Sequence, residues 1–316
     1  GSPRKKGNTS YLLNTFMDEV SRLGVKTLTI DVPHKNIVPC KELVVCEKKG
    51  FCPIDDDMAP EIYPLLREAD IIVAASPVFF YHVSAQLKAL IDRCQVLWAR
   101  KYCLKLEDPA RNYRRGILLA AGATKGKNLF EGLKLTARVF FDAVGAKFED
   151  SLTYRQIEGP KDMARHPTVL EDVKILVQKL TTPLVNRKKV LFACRENACR
   201  SQMAGAFAQY IAGDKLDVLN GGSQPADEVN QVMVEAMREK GIDMAFRIPK
   251  TMEAAIENNT PEVIVTMGCG EECPFVPGAA RLDWDLPDPA GRSIEFMREV
   301  RDEIEQRVKD MVAEFV

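Results

Sequence analysis

Long apolar runs are absent from this chain of 316 residues. No stretch approaches the ~18 apolar residues that would suggest a bilayer span, so no membrane-embedded role is expected. Charge of one sign is missing too. With 44 basic and 45 acidic residues the formal net charge is −1, too little to draw the chain to nucleic acid or a membrane surface over distance. Histidine is scarce: His34, His82 and His166 are scattered, without metal-ligand spacing. There is no internal repeat and no low-complexity tract. What the chain does have is thiols. Its nine cysteines fall in motifs, with no visible signal peptide. That pattern predicts a reducing, cytoplasmic setting and functional thiols rather than a disulfide scaffold.

The length allows two domains, and a composition of 46% hydrophobic and 28% charged residues is that of ordinary globular protein. Both halves alternate apolar strands with amphipathic helices. This predicts two three-layer α/β/α domains built on parallel sheets. A helix over about Pro167–Leu180, followed by the polar segment TTPLVNRKK, places the boundary between residues 1–181 and 188–316.

Residues 190–204, VLFACRENACRSQMA, carry the most chemistry. A short apolar strand ends at Cys194, and a tight loop then runs through Asn197, Ala198 and Cys199 to Arg200 and Ser201, where a helix begins. Loop amides and a helix N-terminus cradle a tetrahedral oxyanion, and Arg200 can add paired charge-assisted hydrogen bonds. The same field favours a thiolate, drawing a thiol from ~8.5 toward the ~3.5–7.5 of reactive cysteines. The chemistry implied is in-line attack by Cys194 on a phosphate-like or arsenate-like centre. Downstream, VIVTMGCGEECPFVPGAARLDWDLPDPAG gives a buried strand, then Cys269 and Cys273, then Asp288 before a proline. Asp288 can protonate a leaving oxygen, although aspartates are frequent in such turns for structural reasons. A phosphatase needs one cysteine, one arginine and one aspartate. Two further thiols suit a reductase, in which they attack the loaded cysteine and leave as a disulfide.

These motifs, with NGGSQPADEVN and EKGID between them, make residues 188–316 resemble the thioredoxin-linked arsenate reductases built on the low-molecular-weight protein tyrosine phosphatase fold. The resemblance implies Cys194 as nucleophile and Asp288 as general acid. It implies Arg200 and the loop of Asn197, Ala198, Cys199 and Ser201 as the oxyanion site, with Cys269 and Cys273 as relay thiols. Phosphatases of this fold usually carry a tyrosine soon after the Asp-Pro pair; here Ala290 and Gly291 follow.

The first half opens with GSPRKKGNTS, small and hydroxyl residues at the start of an amphipathic helix, as suits a phosphate. The strand Ile71–Ala75 then meets a loop of proline, aromatics and serine, and GILLAAGATKGKN gives a strand before a glycine-rich loop. Ligands of open α/β sheets bind beyond the carboxyl ends of strands. Together these segments resemble the NADPH-dependent FMN reductases and iron–sulfur flavoproteins, which have a flavodoxin-like fold. The resemblance assigns Ser2, Arg4, Asn8, Thr9 and Ser10 to the flavin phosphate. It assigns Pro77, Val78, Phe79, Phe80, Tyr81 and Ser84 to the isoalloxazine ring, with His82 in the same loop, and Ala121, Gly122 and the residues to Lys125 to a third contact. It also implies a strand before residue 1 that the chain does not include. In PCKELVVCEKKGFCP, Cys40, Cys46 and Cys52 match three of the four cluster cysteines, and Leu43 stands at the other position. A four-iron cluster normally takes four thiolates, so a degenerate site without a cluster is expected. Cys94 and Cys103 are expected to be structural.

The reading is a bifunctional oxidoreductase, an NAD(P)H-dependent flavin reductase using FMN and NADPH fused to an arsenate reductase. Arsenate is the expected substrate and thioredoxin or a similar dithiol the reductant, with no nucleic acid or membrane partner and a homo-oligomer formed through the flavin domain. The alternative is a tyrosine phosphatase or oxyanion-binding module fused to an FMN-binding electron-transfer domain.

Overall fold

The computed structural model describes residues 1–257, 259–268 and 276–315. The chain divides into two compact units, Gly1–Leu104 with Tyr113–Val185, and Lys105–Asn112 with Asn186–Val316.

The first unit is a parallel sheet in the order β1-β2-β3, formed by Ile71–Pro77, Arg115–Ala121 and Lys147–Tyr154. β1 and β2 are near-continuous apolar runs because helices cover both faces of a parallel sheet. The helix Asn8–Arg22 buries Leu12, Phe16 and Val20, spaced four apart on one face. These side chains pack with Ile117 and Leu119 of β2 and with Val173, Leu176 and Leu180 of the helix Val169–Val185. On the other face, a side chain at Gly116 would put its Cβ 2.3 Å from the Phe141 ring, so β2 and the helix Glu131–Ala143 meet there only through glycine.

The second unit is a four-stranded parallel sheet in the order β5-β4-β6-β7, from Leu216–Gly222, Lys188–Cys194, Val263–Thr266 and Ala280–Asp283. β4 is buried on both faces. Val190, Phe192 and Cys194 point into a cluster with the helices Arg200–Ala212 and Ile294–Phe315, while Leu191 and Ala193 face Met252, Ala255 and Ile264. The chain leaves β4 toward β5 on one side and returns to β6 on the other, so strand order reverses beside the carboxyl end of β4. Ligand crevices of open α/β sheets lie at that reversal, and Cys194 is the last residue of β4.

Two boundaries differ from the sequence reading. The Val169–Val185 helix continues through TTPLV, with Pro183 inside it. Thr181 and Thr182 donate their hydroxyls to Val177 O and Gln178 O at 2.8 and 2.6 Å, which satisfies them within the helix. Residues 105–112, expected in the first domain, belong to the second unit. Glu107 donates its amide to Gly241 O at 2.7 Å and accepts from the Asp243 amide at 2.8 Å, and its carboxylate accepts the Tyr210 hydroxyl at 3.1 Å. Among the described residues no helix is long and apolar enough to cross a membrane.

Candidate active site

The loop after β4 is held from outside by its carbonyls. Arg195 O accepts from the Gln224 amide at 2.8 Å, Glu196 O from Ala226 at 2.9 Å and Ala198 O from Asn230 at 2.9 Å, while Asn197 O accepts the Gln202 side chain at 3.1 Å. With these four carbonyls engaged, the amides of Glu196 to Cys199 donate to no protein acceptor among the described residues. Such a row of unpaired donors at a helix N-terminus is an oxyanion site in waiting. Asn197 takes a left-handed conformation, φ +48°, which turns the loop. Gly222, at the end of β5, closes its outer side: a Cβ there would lie 2.6 Å from Arg195 O and 2.8 Å from Asn197 N.

Inside the loop the hydrogen-bond directions can be worked out. Asn197 Oδ1 accepts the Lys250 amide at 3.0 Å and Gln202 Nε2 at 3.2 Å, which fixes the orientation of its amide. Its Nδ2 therefore faces Ser201 and donates to Oγ at 2.8 Å. Ser201 Oγ lies 3.0 Å from Cys194 Sγ; once the thiol is ionised the sulfur can only accept, and the hydroxyl then donates to it. A buried hydroxyl aimed at Cys194 stabilises the thiolate and, later, the sulfur as a leaving group. Cys199, next to the helix start, is buried, and burial first, then the nearby Cys194 thiol, pushes its own thiol up. It stays protonated.

Arg200 is buried, and NH1 donates to Met267 O at 3.0 Å and Leu286 O at 3.1 Å. NH2 lies 3.3 Å from Asp288 Oδ2, and that carboxylate is largely exposed. The residues read as oxyanion binder and general acid are thus neighbours. Asp288 Oδ1 also accepts the Ala290 amide at 3.1 Å, an Asx turn that holds the carboxyl at the loop surface. Cys269 and Cys273 lie outside the described residues.

In the first unit the three expected loops meet beyond the carboxyl ends of β1 and β2. Val78 donates to Ala121 O at 3.1 Å, and Ser84 Oγ donates to Gly1 O at 2.6 Å. Phe80 and Tyr81 both have positive φ, +49° and +62°, in a tight turn closed by Phe79 and His82, which exchange backbone hydrogen bonds at 2.9 Å. Bulky residues rarely adopt this conformation, and such strain concentrates at ligand sites. The turn leaves the Phe80 ring fully exposed. His82 Nε2 is 2.9 Å from Thr136 Oγ1, so it braces the turn. Some expected contacts have structural partners instead. Asn8 donates to Gly159 O at 2.9 Å and accepts from Met163 at 3.2 Å, Ser84 caps the helix Ala85–Arg93, and Thr9 is buried. Ser2 accepts from the Arg4 amide at 3.3 Å and Ser10 donates to Arg4 O at 2.8 Å, which folds residues 2–7 over the start of the Asn8–Arg22 helix.

Residues 189–315 match the family model for low molecular weight phosphotyrosine protein phosphatase. A putative arsenate reductase of Halobacterium salinarum is 40% identical over 129 residues, 39% of this chain and 90% of that protein. A glutaredoxin arsenate reductase of Synechocystis sp. is 35% identical over 128 residues, 40% of this chain and 97% of that one. The chain belongs, through residues 189–315, to the low molecular weight phosphotyrosine protein phosphatase family. Its first half is of another kind. Residues 1–144 match the family model for NADPH-dependent FMN reductase. The iron-sulfur flavoprotein of Methanosarcina thermophila is 39% identical over 105 residues, 33% of this chain, and the chain spans 54% of that protein's length.

Within the phosphatase family's half, the sequence reading missed the residues that wire the loop, Gln202, Lys250 and the 224–230 segment. Only NGGSQPADEVN hinted at them, as a motif without a stated role. In the flavin half, a four-iron cluster does not fit the residues present. Cys40, Cys46 and Cys52 are three thiols, Leu43 stands at the remaining position, and among the described residues no three His, Cys, Asp or Glu side chains are grouped to hold a metal ion.

Proposed function

We propose that the chain is a bifunctional oxidoreductase, an arsenate reductase fused to an NAD(P)H-dependent flavin reductase. The observation that carries the first activity is the hydrogen-bond wiring that ends on Cys194 Sγ, inside a loop whose free amides suit a tetrahedral oxyanion. Arsenate sits on those amides with Arg200. The Cys194 sulfur bonds to arsenic as one arsenic–oxygen bond breaks, and Asp288 protonates the departing oxygen, which leaves as water. A second thiol, assigned to Cys269 or Cys273, attacks the Cys194 sulfur. The sulfur–arsenic bond breaks with its electron pair left on arsenic, so arsenite departs and a disulfide remains. A thioredoxin-like dithiol then reduces that disulfide. Ala290 and Gly291 follow the Asp-Pro pair where a phosphatase of this fold carries a tyrosine to stack on a phosphotyrosine ring, which supports arsenate over that substrate.

FMN suits the first unit because three loops converge beyond β1 and β2 and a strained turn presents an exposed ring to a flat ligand. Residues 2–10 would hold its phosphate at the start of the Asn8–Arg22 helix. The loop from Pro77 to Tyr81 and the Ala121–Gly122 backbone would hold the ring. Bound FMN supplies a two-electron carrier for hydride from NADPH.

The test is Cys194→Ser in the full chain. Serine does not ionise near neutral pH, so arsenite formation with a dithiol reductant falls to background while NADPH-driven flavin reduction persists. Retained arsenate turnover contradicts the assignment of the nucleophile.

A further inference from the structure

The wiring of the Cys194 loop does not stop at Gln202. That side chain is buried, and its Nε2 is committed to Asn197, donating to O at 3.1 Å and to Oδ1 at 3.2 Å. With its nitrogen on Asn197, Gln202 presents its oxygen to a donor from outside the loop. Arg247 supplies one. Its NH1 donates to Gln202 Oε1 at 3.4 Å, while NH2 of the same guanidinium donates to Gln209 Oε1 at 2.5 Å. Gln202 and Gln209 both belong to the helix Arg200–Ala212, and at about 3.6 residues per turn they lie on one face. A single planar fork, with its donors in fixed directions, thus serves both glutamines.

Arg247 is itself held in place. In the segment from Asp243 to Lys250, the Asp243 amide donates to Glu107 O at 2.8 Å, and Asp243 Oδ1 accepts the Ala245 amide at 3.0 Å. Phe246, directly before Arg247, is left-handed at φ +64°, which is uncommon for a bulky residue. At the other end Lys250 O accepts the Gly222 amide at 2.9 Å, and the Lys250 amide donates to Asn197 Oδ1 at 3.0 Å. The segment therefore reaches Asn197 by two routes, directly through Lys250 and through the Arg247 side chain by way of Gln202.

We propose that Arg247 is a positioning residue for the Cys194 loop. It braces Gln202, Gln202 holds Asn197, and Asn197 donates to Ser201 beside the Cys194 sulfur. Without the guanidinium, Gln202 Oε1 is a buried acceptor that has lost this donor, which is costly. The side chain regains a partner by swinging away, at the expense of its bonds to Asn197. Arg247 touches no reacting atom in this scheme. The inference rests on the reading of the loop as an oxyanion site with Cys194 as nucleophile, and not on arsenate as the substrate.

The test uses the full chain and reads the loop directly. Alkylation of Cys194 by iodoacetamide is followed on its own peptide by mass spectrometry, with and without inorganic phosphate as the protecting oxyanion. Arsenate turnover and thermal melting are measured beside it. A shift of 1 Å at a reacting centre costs about 10²-fold, and loss of a brace one side chain removed should cost roughly 10-fold. Arg247→Met should therefore raise the half-protecting phosphate concentration, and lower kcat/KM for arsenate, on that scale. Gln209→Met removes the other partner and leaves Gln202 braced, so it should lower the melting temperature without moving protection or turnover. Arg247→Met and Gln202→Met together should be no worse than Gln202→Met alone, because both act at one link. Unchanged protection and turnover in Arg247→Met overturn the proposal, as do losses that multiply in the double variant. Equal losses in Gln209→Met and Arg247→Met overturn it too, since the guanidinium would then only brace the helix. A wild-type chain that phosphate protects but that forms no arsenite counts against the reductase reading alone.

Discussion

Two loops of this chain present cysteines, and they are built in opposite ways. Around Cys194 the carbonyls of residues 195–198 are engaged from outside and the Asn197 amide is oriented by Lys250. Ser201, which accepts from Asn197, lies within hydrogen-bond reach of the Cys194 sulfur, and the thiol is buried. Around Cys40, Cys46 and Cys52 the fastening is at the loop's ends and at Gly50, the interior is strained, and the thiols reach solvent. The first loop is organised before its ligand arrives, as attack on a tetrahedral centre requires. The second carries its three free thiols on a strained stretch, none of them buried. Preorganisation belongs to the loop that does chemistry.

If this contrast is right, the two loops fail differently. The largest effect is expected at the buried ion pair. Asp56→Ala leaves Arg93 as an uncompensated buried charge, at a cost of about 3–5 kcal/mol, and removes the acceptor of the Val38 amide at the start of the 38–56 loop. Calorimetry should show the flavin-type unit melting earlier while arsenate turnover at low temperature survives. Gly222→Ala tests the other loop. Its Cβ collides with backbone at Arg195 and Asn197, which cannot swing aside as a side-chain tip would. A displacement on the order of 1 Å at a reacting centre costs about 10²-fold in rate. Arsenate turnover should fall on that scale with flavin reduction unchanged, and an unaffected rate would show that the loop is not preorganised.

The smallest effect is one of pH, in the scaffold behind the Cys194 loop. Hydrogen bonds from Arg298 first, then Arg301, hold the Glu239 carboxyl down at about 2. They tie the helix Gln231–Glu239 to Ile294–Phe315. A folded value below the unfolded carboxylate value of ~4.3 means this contribution is complete above that pH. It is lost as pH falls from there toward about 2. The pair is exposed, so the shift is modest. Between pH 6 and 3 the melting temperature of the second unit should drop more in the wild-type chain than in Glu239→Gln; equal slopes would remove the pair from the account.

The parts legible in the sequence were those that depend on neighbours along the chain. The apolar run into Cys194, the helix from Arg200 and the strand Val263–Thr266 follow from local pattern, and so does the thiol count at Cys40, Cys46 and Cys52. What was not legible depends on residues far apart. Lys250 orients Asn197 across 53 positions, and no periodicity announces a backbone amide aimed at a side chain. Asn8 looks like a phosphate ligand and Ser84 like a flavin-ring contact because hydroxyls and amides suit polar ligand groups, yet capping and loop bracing need the same groups. Residues 105–112 join the second unit through Glu107, whose backbone pairs with Gly241 and Asp243. Backbone pairing of that kind leaves no composition signal. Proline at 183 suggested a break, but the helix carries it near its last turn.

The central claim is that Cys194 serves a reductase and not a hydrolase. The most direct measurement gives the purified full chain arsenate and a thioredoxin-like dithiol in one assay and a phosphotyrosine mimic in another. The account predicts one arsenite formed per dithiol oxidised over many turnovers, with weak or no release of phosphate from the mimic. Efficient phosphate release, with no arsenite and no dithiol consumed, would contradict it.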